Sequence, residues 1–136
     1  MATAPRFTKT IVAVPVVKIT STDLTTVYAA NATYDSRITG INISSDDSSA
    51  QNASLFISDG TNDFPAGTIP VTIGAGVTVS VPSIGMIAAL SAVFREKDSN
   101  GLTILNLPKG SSLKVKLAAI TGGKTFTVLV KAELYD

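Results

Sequence analysis

The strongest constraint in the chain is a two-residue period in its last quarter. Leu113, Val115, Leu117 and Ala119 alternate with Ser112, Lys114, Lys116 and Ala118. After Thr121-Gly122-Gly123-Lys124, Phe126, Val128, Val130, Ala132 and Leu134 alternate with Thr125, Thr127, Leu129, Lys131, Glu133 and Tyr135. A period of two gives a strand one apolar and one wetter face. The spacing predicts two strands joined as a half-buried antiparallel hairpin over Ser111 to Tyr135. Each large apolar side chain on the inner face contributes about 1.5–3 kcal/mol on burial. One hairpin cannot cover its own face, so the rest of the chain must supply a second layer.

Composition says what that layer is made of. At 136 residues the chain is one domain, long enough to bury a core. Hydrophobic residues make up 45% and charged residues 15%, which excludes a disordered chain and leaves Ser, Thr, Asn and Gly to cover the surface. Helix-forming stretches are sparse, and the expected class is all-β.

The same composition narrows the chemistry. The net charge is +1 and no basic block exists, which argues against nucleic-acid binding. There is no Cys, so no disulfide framework or thiolate metal site can form. There is no His, so the usual general base and commonest metal ligand are missing. No run approaches membrane-spanning length, and no cofactor is implied. A weakly charged, Thr-rich surface is poorly protected against association.

The chain opens with a β-branched, apolar segment. Residues 1–17 read as an arm or an edge strand, with Phe7, Ile11, Val12, Val14, Val16 and Val17 as candidate interface residues. Pro15 cannot donate to a ladder and favours an edge. The segment faintly mimics a signal peptide, but Pro15 and Lys18 interrupt its apolar run, so a mature arm is expected. An arm reaching another subunit and an ordinary first strand both remain open.

Residues 18–136 read as a single sandwich domain. Leu24 to Asn31 is a strand with Val27 and Ala29 on one side and Tyr28 on the other. In Arg37 to Ser45, Ile41 and Ile43 share a face with Thr39, while Ile38 falls on the opposite one. That slip sits at Gly40, where a bulge would bend the strand. Asn52 to Ser58 points Ala53, Leu55 and Ile57 inward and leaves Phe56 outside as a candidate contact. Phe64 to Val71 carries Pro65 and Pro70, which marks a sheet edge. Val77, Val79 and Val81 suggest another strand. Ser83 to Leu90 is the one helix candidate, capped by Ser83. Asp98-Ser99-Asn100-Gly101 is a turn, and Leu102 to Leu107 returns as a strand. Strands at short spacing with Gly, Asn or Asp between them point to an antiparallel β-sandwich, jelly-roll-like, with at most one short helix.

Three possible chemistries are weak. Gly123-Lys124-Thr125 resembles the end of a phosphate loop, but Ala118 stands where the earlier Gly is needed and a strand follows. Asp46, Asp47, Asp59 and Asp63 would bind a cation only if two loops met, and Asp in loops commonly forms turns. A carboxylate pair for glycoside hydrolysis lacks an aromatic platform, since Trp is absent and Tyr28, Tyr34 and Tyr135 are scattered. No enzyme is expected. Lys114, Lys116 and Lys131, placed on the outer faces of adjacent strands, are either solubilising charge or a contact surface for an acidic partner.

The succession RITGINISSDDSSAQNASLFISDG, DSNGLTILNLPKGSSLKVKL and TGGKTFTVLVKAELYD resembles the head decoration (cement) proteins of tailed bacteriophages. The shared pattern covers about the last hundred residues. It includes Pro108-Lys109-Gly110 before a strand, a short Gly/Lys turn and a final strand. The resemblance implies a non-catalytic virion protein, made in the host cytoplasm and placed on the outer capsid surface. There it would bridge major capsid proteins and associate with itself, as a homotrimer. No active-site residues carry over. A tail or head-fibre protein and a carbohydrate-binding sandwich are the alternatives.

Overall fold

The computed structural model describes residues 8–12 and 16–135, with side chains described for 16–134. The architecture is an all-β sandwich of two antiparallel sheets. The larger sheet contains β1 (Thr8–Val12), β2 (Val16–Ile19), β4 (Asp35–Ser45), β7 (Ile84–Gly85), β8 (Glu96–Lys97), β9 (Thr103–Leu107) and β11 (Phe126–Tyr135). The smaller contains β3 (Thr25–Ala29), β5 (Gln51–Ser58), β6 (Asp63–Val71) and β10 (Ser112–Leu117). Its order is β3-β10-β5-β6, so proline-bearing β6 is an edge strand, as Pro65 and Pro70 require.

The expected closing hairpin does not exist. β10 pairs with β3 and β5, whereas β11 pairs with β4, β1 and β2. Residues 118–125 carry the chain from one sheet to the other as an arch. The physical reason is cover. A hairpin would set two apolar faces side by side, whereas strands in opposite sheets turn those faces toward one core. Leu113, Val115 and Leu117 are fully buried, and so are Phe126, Val128, Val130 and Ala132.

Three bulges explain where strict alternation misreads the chain. Between β4 and β11 the register moves from Gly40–Lys131 to Ile38–Ala132, leaving Thr39 as the extra residue. The bulge anticipated at Gly40 is therefore present, and its effect is to turn Ile38 inward with Ile41 and Ile43. Between β3 and β10 the extra residue is Val27, so both Val27 and Tyr28 are buried instead of facing opposite ways. The Tyr28 hydroxyl meets the Ser36 hydroxyl at 2.7 Å, a polar tie between the sheets. Between β5 and β6 the extra residue is Ala66, also buried.

Two further expectations fail locally. Residues 77–81 form turns, not a strand. Gly74 and Gly76 both take φ of +71°, which coils the chain, and Val77 and Val81 donate to the nearby carbonyls of Gly74 and Thr78. Val77 and Val79 are left exposed, and only Val81 packs against the core. The helix over Ser83–Leu90 shrinks to a single 3-10 turn, Ile87–Ala89, with no side-chain cap. Ile84 and Gly85 instead pair with Ile43 and Asn42, because β9 covers only Ser36 to Ile38 and leaves that stretch of β4 open. Met86 and Leu90, flanking the turn, plug the end of the core.

Gly67 on β6 lies directly beneath this plug. A Cβ there would collide with the Ala89 carbonyl. Ser91 N–H also donates to the Ala66 carbonyl at 2.6 Å, which fixes the close approach. Gly67→Ala should destabilise the fold by about 1–3 kcal/mol through overpacking, read as a lower urea midpoint with an unchanged slope.

Candidate functional site

The candidate interface residues whose side chains are described, Val16, Val17, Phe56, Lys114, Lys116 and Lys131, do not share one surface. Phe7 and Val14 lie outside the described residues. The backbones of Ile11 and Val12 pair with Glu133 and Ala132, and their side chains are not among those described. β1 and β2 lie end to end along one side of β11, with β4 on its other side. Val17 packs against the core, whereas Val16 points outward and is 57% exposed. Phe56 is half-buried on the outer face of the smaller sheet, between Lys114 and Pro65.

The three lysines are not on adjacent strands. Lys114 and Lys116 belong to β10 and Lys131 to β11, so their outer faces point away from each other across the sandwich. Lys114 is also engaged, bound to Asp63 at 2.9 Å. Lys116 and Lys131 are exposed.

The aspartates separate into two loops at opposite ends of β5. Asp46 and Asp47 precede that strand, and Asp59 and Asp63 follow it. The two loops therefore do not meet. Among the described residues, no group of three His, Cys, Asp or Glu is placed to hold a metal ion. Each aspartate has a structural partner instead. Asp46 accepts from Thr125 N–H at 2.7 Å. Asp59 accepts from the backbone N–H groups of Asn62 and Thr61, which close the β5–β6 turn and hold its carboxyl below the ordinary range. Asp63 is lowered by the hydrogen bond from Lys114 and then by the Ser58 hydroxyl.

Asp47 is the buried member, 1% exposed. It accepts from the Thr121 hydroxyl at 2.7 Å, from Thr121 N–H at 2.9 Å and from Ser49 N–H at 2.9 Å. The Thr121 hydroxyl bond, then the Thr121 N–H bond, hold its carboxyl below the ordinary 3.8, against the opposing push of burial. Asp46 and Asp47 thus clamp the β4–β5 loop onto the arch.

The surface holds two features that periodicity did not reveal. One is a groove of about 320 Å³ at the β6–β8 side of the sandwich. Ile57, Phe64, Phe94 and Leu105 give it an apolar lining, and Asp59 and Glu96 are its only charged groups. Its residues come from four separate stretches, so only Phe64 beside Pro65 on an edge strand hinted at it. The other feature is a shallow depression at the opposite end of β5. Lys18 on β2, Asp46, Val77 and the hydroxyl side chains of Ser44, Thr125 and Thr127 line it, and Val16 stands two residues from Lys18 on the same outward face. Val77 is 59% exposed.

No family model matches the chain, and no curated protein matches it. Among solved structures, one similar chain is a pentameric capsid protein isolated from metagenomic phage sequences. The identity is 14%, the TM-score 0.37, and the match covers 89% of this chain and 67% of that one. A likeness of that degree assigns neither fold nor role here.

Because the folded Asp47 carboxyl releases its proton more readily than the unfolded one, its contribution to stability is present above the unfolded value near 3.8. It is lost as pH falls through the lower, folded value. Asp59 and Asp63 act in the same direction. Melting temperature should therefore fall on acidification from pH 5 toward 3. Asp47→Asn should lower it at neutral pH and flatten, without abolishing, that acid slope in a calorimetric pH series.

Proposed function

We propose that the protein is a non-catalytic structural component of a tailed-phage virion that binds the outer capsid surface and bridges major capsid proteins. The reading starts from the sequence resemblance over Arg37 to Asp136. The observation that supports it most is where the apolar surface lies. Val16 marks one side of the sandwich, Phe64, Val93 and Leu102 mark the other, and Ile73, Val77 and Val79 stand on the loop between β6 and β7. Exposed large apolar residues gathered on rims and edges suit contact with other proteins.

The interior fits a passive role. Every buried side-chain polar atom among the described residues has a partner. The buried polar groups, Ser36, Ser45, Asp47 and Ser58, hold strands and turns together. In a decoration role each copy binds modestly, and an oligomer engaging several capsid sites gains about 10²–10⁴ in avidity. Self-association, with the trimer implied by the resemblance, belongs to the same proposal.

The test is addition of purified protein to phage heads that lack it. Saturable binding at a stoichiometry matching the capsid lattice, with a raised thermal transition of the heads, is the expected result. Heads that neither bind the protein nor melt higher overturn the reading. Replacing the loop valines (Val77→Ser with Val79→Ser) should weaken binding by roughly tenfold or more if that loop is a contact, since each buried valine is worth about 1.5 kcal/mol or more. The monomer's own stability should barely change, because both side chains are exposed.

A further inference from the structure

We propose that Asn100-Gly101, at the tip of the β8–β9 hairpin, is a site of spontaneous deamidation in the folded protein, and that its isoaspartate product releases β8 from the sheet. The inference is independent of the virion reading and concerns the chemistry of this chain alone.

Asparagine followed by glycine favours ring closure, because glycine has no Cβ to obstruct the approach of its amide nitrogen to the neighbouring side-chain carbonyl. Asn100 is the only asparagine in the chain that precedes glycine. Its surroundings leave it free to react. Ser99, Asn100 and Gly101 are exposed. The backbone N–H of Asn100 donates to Asp98 Oδ1 at 2.9 Å, but its side-chain amide bonds to nothing among the described residues. A Cβ on Gly101 would meet no atom within 4 Å, so water and hydroxide reach that peptide group from open space.

The bonds that oppose the reaction are few. Gly101 N–H donates to the Asp98 carbonyl at 3.0 Å and Asp98 N–H to the Leu102 carbonyl at 2.9 Å, with Gly101 at φ +80°. This is a tight three-residue loop with a left-handed glycine. The attacking nitrogen is therefore engaged while the turn is closed. Behind the turn, β8 pairs with β9 only through Glu96–Ile104 and Lys97–Thr103. Two surface side-chain bonds, from Asn106 to Glu96 and from Lys97 to Thr103, add to them. Both β8 side chains are exposed, and a hairpin end that buries so little opens readily. Asp59-Gly60 is the comparison within the same molecule. Asp59 Oδ1 accepts from Thr61 and Asn62 N–H, which keep its carboxyl ionised and a poor electrophile, and Gly60 N–H donates to the Ser58 hydroxyl. That side chain is locked, whereas the Asn100 amide is not.

When the turn opens, hydroxide removes the Gly101 amide proton and the nitrogen attacks Asn100 Cγ. The Gly101 N–Asn100 Cγ bond forms, the Cγ–Nδ2 bond breaks, and Nδ2 leaves as ammonia after taking a proton from water. Water then opens the resulting succinimide ring at either carbonyl. Breaking the bond from the nitrogen to Cγ gives aspartate. Breaking its bond to the backbone carbonyl carbon gives isoaspartate, whose main chain runs through Cβ and Cγ. The net change is amide plus water to carboxylate plus ammonium, with no oxidation. Both products lower the formal net charge of +1 by one. Isoaspartate also adds a methylene to the backbone inside the tight loop, so the Gly101 and Asp98 N–H bonds cannot both close and β8 loses its register.

Peptide mapping by mass spectrometry of the folded full chain, held at mildly alkaline pH, tests the site. The expected result is the amide-to-acid mass gain confined to the peptide that carries Asn100, in two chromatographic forms, one of which isoaspartyl methyltransferase labels. Ammonia release should match it mole for mole. Asn100→Gln, whose longer side chain closes a larger ring more slowly, should lose nearly all of that product. It alters an exposed residue, so it should melt as wild type does. Aged wild type should be cut by trypsin after Arg95 or Lys97 several-fold faster than fresh protein, with no such gain in Asn100→Gln aged in parallel. An Asn100 that stays intact in the folded protein, whether or not it reacts in urea, overturns the site, and so does faster modification at another asparagine or at Asp59. Equal trypsin rates for aged and fresh protein overturn the release of β8.

Discussion

The last quarter of the fold depends on one crossing. Residues 118–125 take the chain out of the smaller sheet at Leu117 and into the larger one at Phe126. Everything apolar in the last quarter becomes useful only because of that change of layer. Leu113, Val115 and Leu117 then look toward the core from one side, and Phe126, Val128 and Val130 from the other. The arch has little apolar anchoring beyond Ile120, which packs against the core, so its position rests on polar bonds. Asp47 takes Thr121 and Asp46 takes Thr125, one at each end of the glycine turn. Two adjacent carboxylates in one loop thereby set the spacing between the sheets at this end. A bare backbone turn could not do this, because its own hydrogen bond, Lys124 N–H to the Thr121 carbonyl, is local and ties the arch to no other loop.

Much of this was legible from residue order. The inward sets on β10 and β11, the edge character of β6, the bulge near Gly40 and the Asp98–Gly101 turn all follow from alternation, proline chemistry and turn residues. Most of what was not legible on the strands has a common cause. Alternation says which residues share a face but not which strand lies beside them, so a hairpin and an arch read alike through Ser111 to Tyr135. A bulge resets the alternation, and its effect is visible only when the partner strand is known. Tyr28 and Ile38 were misplaced for this reason, each lying one residue past or before an extra one. The loop valines failed differently. Val77, Val79 and Val81 have the composition of a strand, but two left-handed glycines upstream close the backbone on itself before any neighbour can pair.

The surface was the least legible part, since it is made from sequence-distant pieces. The groove draws on the β5–β6 turn, the segment before β8, β9 and the residues after it. The lysines show the same limit from the other side. Lys114, Lys116 and Lys131 look like one row in the sequence, yet the arch sends Lys131 to the opposite face and a salt bridge occupies Lys114.

The open edges connect fold to role. A sandwich of this kind has unpaired strand edges, and an unprotected edge invites pairing with other chains. The smaller sheet blunts its β6 edge with Pro65 and Pro70. The larger sheet does something else at β2, where Val16 and Lys18 project from the same outward face and no proline lies within Val16–Ile19. Proline closes the β6 edge to backbone pairing, whereas at β2 the exposed Lys18 supplies a charge among the described residues. A lysine projecting from an edge strand resists edge-to-edge aggregation, because a second edge would have to desolvate the charge. For a protein with a net charge of only +1, which has little overall repulsion to keep copies apart, such local protection of the edges matters more than net charge.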